Sequence, residues 1–295
     1  MGSLVYTDIP AIAGLAIRHA YPAGFDFIDS PPAGWSGSEQ VGEPVTVRHV
    51  VEPMSTAGLT ATADLSPLHV FYRGADGSDV VRYEPVRGVL PAQTLRTIRP
   101  GYEFAMHYDT LPESRVVHQA RDRNLWVLAM AQRHRGLLAH AVGFLLPSGR
   151  GVVCPGISGA GKTTLASLLV RFGGGTVPLS DDRIAVTEDA NGFRLWGTPW
   201  HGDAKIAEPA GGPLGVVAFP RKSPEMAMRR LDLRDATRRW LNTLTTPLWS
   251  AELIDWSLEW MDRLVRSVPH VEIAYPATLE AAEWIVKTLT VEAGE

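Results

Sequence analysis

Eight residues, Gly156-Ile157-Ser158-Gly159-Ala160-Gly161-Lys162-Thr163, constrain this chain more than any other feature. They fit the pattern GxxxxGK[ST], in which backbone N–H groups wrap a polyphosphate, a lysine reaches its outer oxygens and a hydroxyl is offered to Mg²⁺. The context agrees. Gly151-Val152-Val153-Cys154-Pro155 reads as a short buried strand, and the run from Thr164 to Val170 reads as a helix with apolar positions recurring at three and four. In that order the helix start aims its partial positive charge and its unpaired N–H groups at bound phosphates. Gly156, Gly159 and Gly161 let backbone approach a ligand with no Cβ in the way. Ser158, Ala160, Lys162, Thr163 and Thr164 complete the expected nucleotide-binding set. The plain alternative is a glycine-rich turn before an ordinary helix.

A second signal lies downstream, where Val177-Pro178-Leu179-Ser180 leads into Asp181-Asp182. A strand delivering acids beside the loop would complete a metal site, because Mg²⁺ takes a few hard oxygens, water and nucleotide phosphates. One hydroxyl and one carboxylate from the protein suffice. The other carboxylate is then available as a base, and two close acids raise one pKa toward neutrality. An acid pair in a solvated turn is the alternative reading.

The run "LLAHAVGFLLPSGRGVVCPGISGAGKTTLASLLVRFGGGTVPLSDDRIAV" resembles the catalytic core of the HPr serine kinase family and its shorter relatives. Its loop, "GISGAGKTTL", is also similar to that of ATP-dependent phosphoenolpyruvate carboxykinase, which shares that fold. The likeness covers roughly the central third of the chain. It implies an α/β P-loop kinase core with a mixed sheet and a requirement for ATP and Mg²⁺. It gives Lys162 the phosphate contact, Thr163 the metal hydroxyl and Asp182 the proton of the acceptor hydroxyl, and it matches His140 to the family's histidine before the loop; Asp181 is then the carboxylate left for the metal. The connection from His140 to Lys162 is about one residue longer than in the regulatory kinases, and the one through Gly173-Gly174-Gly175 about two longer. The EIRG-like glutamate segment of the HPr-specific enzymes has no counterpart here, which leaves the acceptor open.

Other residues compete for roles. His134 lies in Arg133-His134-Arg135, which reads as a solvated helix end. Trp200 and His201 fall in Gly197-Thr198-Pro199-Trp200-His201-Gly202, a breaker-rich turn like one that shorter family members carry after the acid pair, and a substrate-side role is open to both. Arg183, Arg221 and Lys222 are the cations available to a phosphoryl group in flight, against a default of surface charge. Trp256 and Trp260 share a helical face with Leu253 and Leu264, which reads as core rather than as a stacking platform.

With 295 residues the chain is long enough to bury a core without staples. Its 45% hydrophobic and 20% charged content describes a globular protein. A net charge of -4 gives no basic footprint for nucleic acid, and no stretch reaches the length of a membrane span. Cys154 is the one cysteine, so no internal disulfide forms, and a reducing cytoplasm fits. The start, Met1-Gly2-Ser3-Leu4-Val5-Tyr6, lacks the features of a secretory or myristoylation signal.

The texture changes near residue 115. Residues 1–115 read as a β-rich module, with runs such as Val45-Thr46-Val47-Arg48-His49-Val50 and a hairpin turn at Gly74–Asp79. Residues 116–295 read as the loop-bearing domain: a helix over 119–132, a strand over 137–146, further strands at 194–196 and 214–219, and a remainder expected to be helical. Thr278 is the expected N-cap of a final helix whose apolar face is Leu279, Ala282, Val286 and Leu289. Positioning a peptide, forming a contact in a homo-oligomer and extending the sheet are the uses open to the β-rich module.

Taken together, the expectation is a cytoplasmic ATP- and Mg²⁺-dependent kinase acting on a hydroxyl, first of a serine or threonine in a peptide or protein. Modified-peptide biosynthesis is the setting that the resemblance suggests. A small-molecule hydroxyl, a carboxykinase-like reaction and a nucleotide-responsive regulatory or ATPase module are the alternatives.

Overall fold

Alternating apolar and polar residues put seven strands into the described part of the first hundred positions. The computed structural model of the chain describes residues 4–22, 35–66, 68–85, 92–110 and 119–294. Among them the protein is mixed α/β, with two large mixed sheets and five helices. The chain divides into two compact units, one running to His134 apart from residues 34–38 and adding Thr246–Ser257, the other comprising chiefly Arg135–Thr245 and Leu258–Glu295. The boundary expected near residue 115 falls outside the described residues.

The first unit contains β1 (Leu4–Ile12), β2 (Leu15–Pro22), β3 (Val45–Val50), β4 (Thr60–Leu65), β5 (His69–Arg73), β6 (Asp79–Tyr83), β7 (Gln93–Arg99), β8 (Glu103–Tyr108) and α1 (Gln119–Gln132). The strands form one sheet in the order β1-β2-β3-β8-β7-β6-β5-β4, antiparallel except at β2–β3 and β3–β8. The turn expected between β5 and β6 is made by Asp76, whose Oδ1 accepts from the Ser78 amide at 3.0 Å, with Gly77 at a φ of 79°. Residues 125–131 of α1 are all buried, and the Trp126 indole donates to the Ile12 carbonyl at 3.1 Å. His134 is no simple solvated helix end, since its ring stacks on Trp256 at 5.3 Å.

The second unit is organised around β9 (Gly136–Leu145). Its first half pairs with β12 (Arg183–Asp189), and its second half pairs with β10 (Gly151–Pro155) and β11 (Val177–Ser180). From β12 the ladder continues through β13 (Gly192–Trp196) to the start of β14 (Gly211–Lys222). β14 then turns to lie parallel to both β10 and β16 (His270–Tyr275), with β15 (Ala227–Arg230) antiparallel on the outer side of β16. α2 (Lys162–Phe172) and α5 (Leu279–Glu292) cover this part of the sheet, through Leu165, Leu169, Ile285 and Leu289 packed on Val152, Val216, Val271 and Ile273. α3 (Leu233–Leu241) is capped by Asp232, and α4 (Ala251–Ser267) begins in the first unit and ends in the second.

Two expectations are corrected. The segment after residue 225 is not wholly helical: it holds β15 and β16, and β16 is a buried parallel strand. Its residues do alternate, with Val271, Ile273 and Tyr275 in the core and Glu272 among arginines on the other face, but the run is only six residues long and follows directly on a helical pattern. Thr278 does cap α5, accepting from the Ala281 amide at 3.2 Å. Leu279, however, is 42% exposed, because the first helical residue lies ahead of the turn that meets the sheet. Truncating Ile273 to alanine is therefore expected to cost about 2–5 kcal/mol in denaturant unfolding. Leu279→Ala should stay within about 0.5 kcal/mol.

Candidate functional site

The glycine loop joins β10 to α2, as its sequence predicts. Gly159 and Gly161 have φ of 84° and 108°, conformations that favour glycine. A Cβ on Gly161 would lie 3.2 Å from the Tyr275 hydroxyl, which itself donates to the Gly161 carbonyl at 3.3 Å. The last residue of β16 thus fixes the loop where the helix begins. Gly161 is the N-cap of α2 and supplies no side chain to accept from the first-turn amides. A helix start without a capping oxygen is a site that an anion can satisfy.

Lys162 is buried, and its Nζ donates to the carbonyls of Gly156 at 2.6 Å and Ile157 at 3.1 Å. Burial pushes its ammonium below the usual lysine range; the nearby Asp182 opposes that shift and Arg183 adds to it. An anion arriving at the loop would relieve the cost of keeping this charge out of water.

β9 brings the remaining groups together. The His140 carbonyl accepts from the Gly156 amide at 3.2 Å, and the next amide, that of Ala141, donates to the Asp182 carbonyl at 3.0 Å. His140 and Arg183 are register partners across β9 and β12. The side chains follow suit: His140 Nε2 lies 3.1 Å from Asp182 Oδ1, and an Arg183 guanidinium nitrogen lies 3.2 Å from the same oxygen. Asp182 is held half-buried beside the phosphate-type loop, with its carboxylate 28% exposed.

Asp181 has a different fate. It is 3% exposed, and its carboxylate accepts three backbone N–H groups, from Gly202 at 2.9 Å, Ala204 at 2.8 Å and Ile206 at 3.2 Å. It pins the turn that follows Trp200 and His201. A Cβ on Gly202 would come within 2.8 Å of Asp181 Oδ2, so glycine is needed at that contact.

These residues surround a cleft of about 390 Å³ lined by His140, Ser158, Gly159, Gly161, Lys162, Thr163, Thr164, Asp181, Asp182, Gly202, Asp203 and Lys222. Most of the residues singled out from sequence therefore share one space. Gly156 and Ala160 lie within the loop rather than on the cleft wall, and Arg183 reaches the site through Asp182. Trp200 is buried, and the Nδ1 of His201 lies 3.0 Å from the Gly202 carbonyl. From that turn the cleft takes Gly202 and Asp203 instead. Asp203 was missed in the sequence; it directly follows the Trp-His-Gly run, and nothing in that run tells which of its residues turns inward. Lys222 lies across the loop, with its stem against Gly161.

Comparison with models of known protein families gives no match, and comparison with curated protein sequences gives none either. Geometry and chemistry alone carry the functional argument.

Since three amides converge on one buried carboxylate, Asp181→Ala should cost about 3 kcal/mol or more, at about 1–3 kcal/mol for each amide left unpaired. Amide hydrogen exchange at Gly202, Ala204 and Ile206 should accelerate together. Retained protection at all three would remove Asp181 from this role.

Proposed function

We propose that the chain is a phosphotransferase that binds ATP at the glycine loop and passes its terminal phosphoryl group to an alcohol. One observation carries this reading: a buried ammonium at an uncapped helix start and a carboxylate held by a histidine line the same cleft. Amides of the loop and of the first turn of α2, with Lys162, hold the polyphosphate. Lys162 turns from the loop carbonyls toward the anion, which offers the stronger, charge-assisted bond. The cleft also suits Mg²⁺, with the Thr163 hydroxyl as a hard oxygen beside the phosphates. When bound, Mg²⁺ neutralises charge on the phosphate oxygens. Asp181, its oxygens taken by three amides, serves from behind by fixing the Gly202–Ile206 turn.

Asp182 accepts the proton of the acceptor hydroxyl as that oxygen bonds to the terminal phosphorus and the bond from phosphorus to the ADP oxygen breaks. His140 and Arg183 hold the Asp182 carboxylate on one oxygen and fix its direction. The open, polar cleft suits a hydroxyl presented on a peptide or protein, with serine or threonine as the first acceptors to try. Small-molecule alcohols come next. A purely regulatory module would leave the held carboxylate without a proton to accept, whereas an ATPase would use it on water, and the fate of the label separates that case.

The test is to incubate the protein with γ-labelled ATP, Mg²⁺ and candidate acceptors and to follow the label. Asp182→Asn should lower transfer by roughly 10²- to 10⁴-fold while nucleotide binding persists. Lys162→Ala should lower it by roughly 10²- to 10³-fold. Label found only as free phosphate, at a rate indifferent to Asp182→Asn, would sink the transferase reading.

A pH dependence also follows. The depressed Lys162 pKa means its charge is lost on the alkaline side before an ordinary lysine, at 10.5, would titrate. Bound phosphate favours the protonated form, so nucleotide affinity should be full at neutral pH and fall as pH rises through the lowered value. Calorimetric titration in the wild type and in Lys162→Arg, which stays charged, separates this effect from general alkaline loss.

A further inference from the structure

Charge is unevenly spread along the second unit. Five arginines, Arg229, Arg230, Arg234, Arg238 and Arg239, crowd into β15 and α3, shortly after Arg221 and Lys222 at the end of β14. From Arg221 to Arg239 there are seven basic residues against three acidic ones, in a protein of net charge -4. The cleft and its proposed chemistry use only Lys222.

Strand register gathers the others. Arg229 and Phe219 both lie opposite Glu272, so they share a face of the sheet with it, as does Arg221 two residues beyond Phe219. Glu272 accepts from Arg239 at 2.5 Å and Arg221 at 3.3 Å, with Arg229 at 4.0 Å. Arg229 and Arg238 flank Asp235 at 3.7 and 3.3 Å. Four guanidiniums thus share two carboxylates. The acids lie inside, Glu272 at 14% and Asp235 at 30% exposure, while Arg221, Arg229 and Arg238 are 54%, 56% and 74% exposed. Burial disfavours the Glu272 carboxylate, but Arg239 and Arg221 overcome it and hold its carboxyl below the usual range. The surface that meets solvent is a set of arginines with excess positive charge, braced from beneath.

We propose that this arginine face docks an acidic polypeptide segment. Guanidinium forks match carboxylates in bidentate fashion, and a braced array loses little freedom on binding. The interleaved Glu272 and Asp235 favour spaced carboxylates over the dense phosphates of nucleic acid. Arg221 and Lys222 are consecutive, so their side chains leave opposite faces of one strand end, the first to the arginine face and the second to the cleft. A segment docked on the arginines is therefore placed to run toward the cleft, as the acidic flank of the hydroxyl that is phosphorylated. That last link rests on the phosphotransferase reading; the docking does not.

Docking is tested without nucleotide, by fluorescence anisotropy of a labelled peptide of alternating Glu and Gly around one Ser, beside its Gln counterpart and an oligothymidylate of equal length. The Glu peptide should bind, the Gln peptide should not, and binding should weaken as salt is raised. Arg234→Glu with Arg238→Glu, both on the exposed side of α3, should weaken it about tenfold or more. The unfolding midpoint reports that the fold is kept, and Arg171→Glu with Lys287→Glu, on α2 and α5, controls for net charge. Failure of the Glu peptide to bind, equal binding by the reversed variant, or tighter binding of oligothymidylate would each overturn the proposal. Because no transfer is read, these outcomes are independent of whether the chain moves phosphate.

Discussion

The site hangs on one strand. Between His140 and Ala141, β9 bonds to Gly156 through the carbonyl and to Asp182 through the amide of one peptide group, so the glycine loop and the acid pair are held from its two sides. Backbone hydrogen bonds of this kind are short and directional, and they leave little play between the two ends of the cleft. The packing of α2 and α5 over β10, β14 and β16 keeps the helix start from moving, and Tyr275 ties that start to the sheet. A loop positioned by a rigid scaffold is where binding chemistry is expected.

Two neighbouring aspartates illustrate how little identity says about role. Asp181 turns into the protein and is used up by three amides; Asp182 turns toward solvent and is steered by His140 and Arg183. The two lie in the bend between β11 and β12, which sends one carboxylate to the amides of the Gly202 turn and the other to His140 and Arg183. Within β14, strand alternation separates Arg221 from Lys222.

The first unit has its own polar centre. His19 and His49 meet at 2.9 Å, and His49 meets the Tyr108 hydroxyl at 2.7 Å, all three buried. Burial draws the His19 imidazole down to about 4, so His19 stays neutral at physiological pH, within a hydrogen-bonded core element.

Local pattern made the glycine loop, the strand before it and the helix after it legible, because glycines at fixed spacing and apolar residues at three and four leave few alternatives. The hairpin at Gly74–Asp79 and the Thr278 cap were legible for the same reason: their chemistry is complete within a few residues. β16 was not, since its six residues follow directly on the helical pattern of α4, and Asp203 was not, since only the turn pinned by Asp181 brings it to the cleft. The amino-acid order by itself determined that a glycine-rich loop would stand between a strand and a helix. Only the tertiary structure decided which acid faces that loop, which lysine lies across from it and which arginines meet around Glu272, because those choices depend on register between strands far apart in the chain.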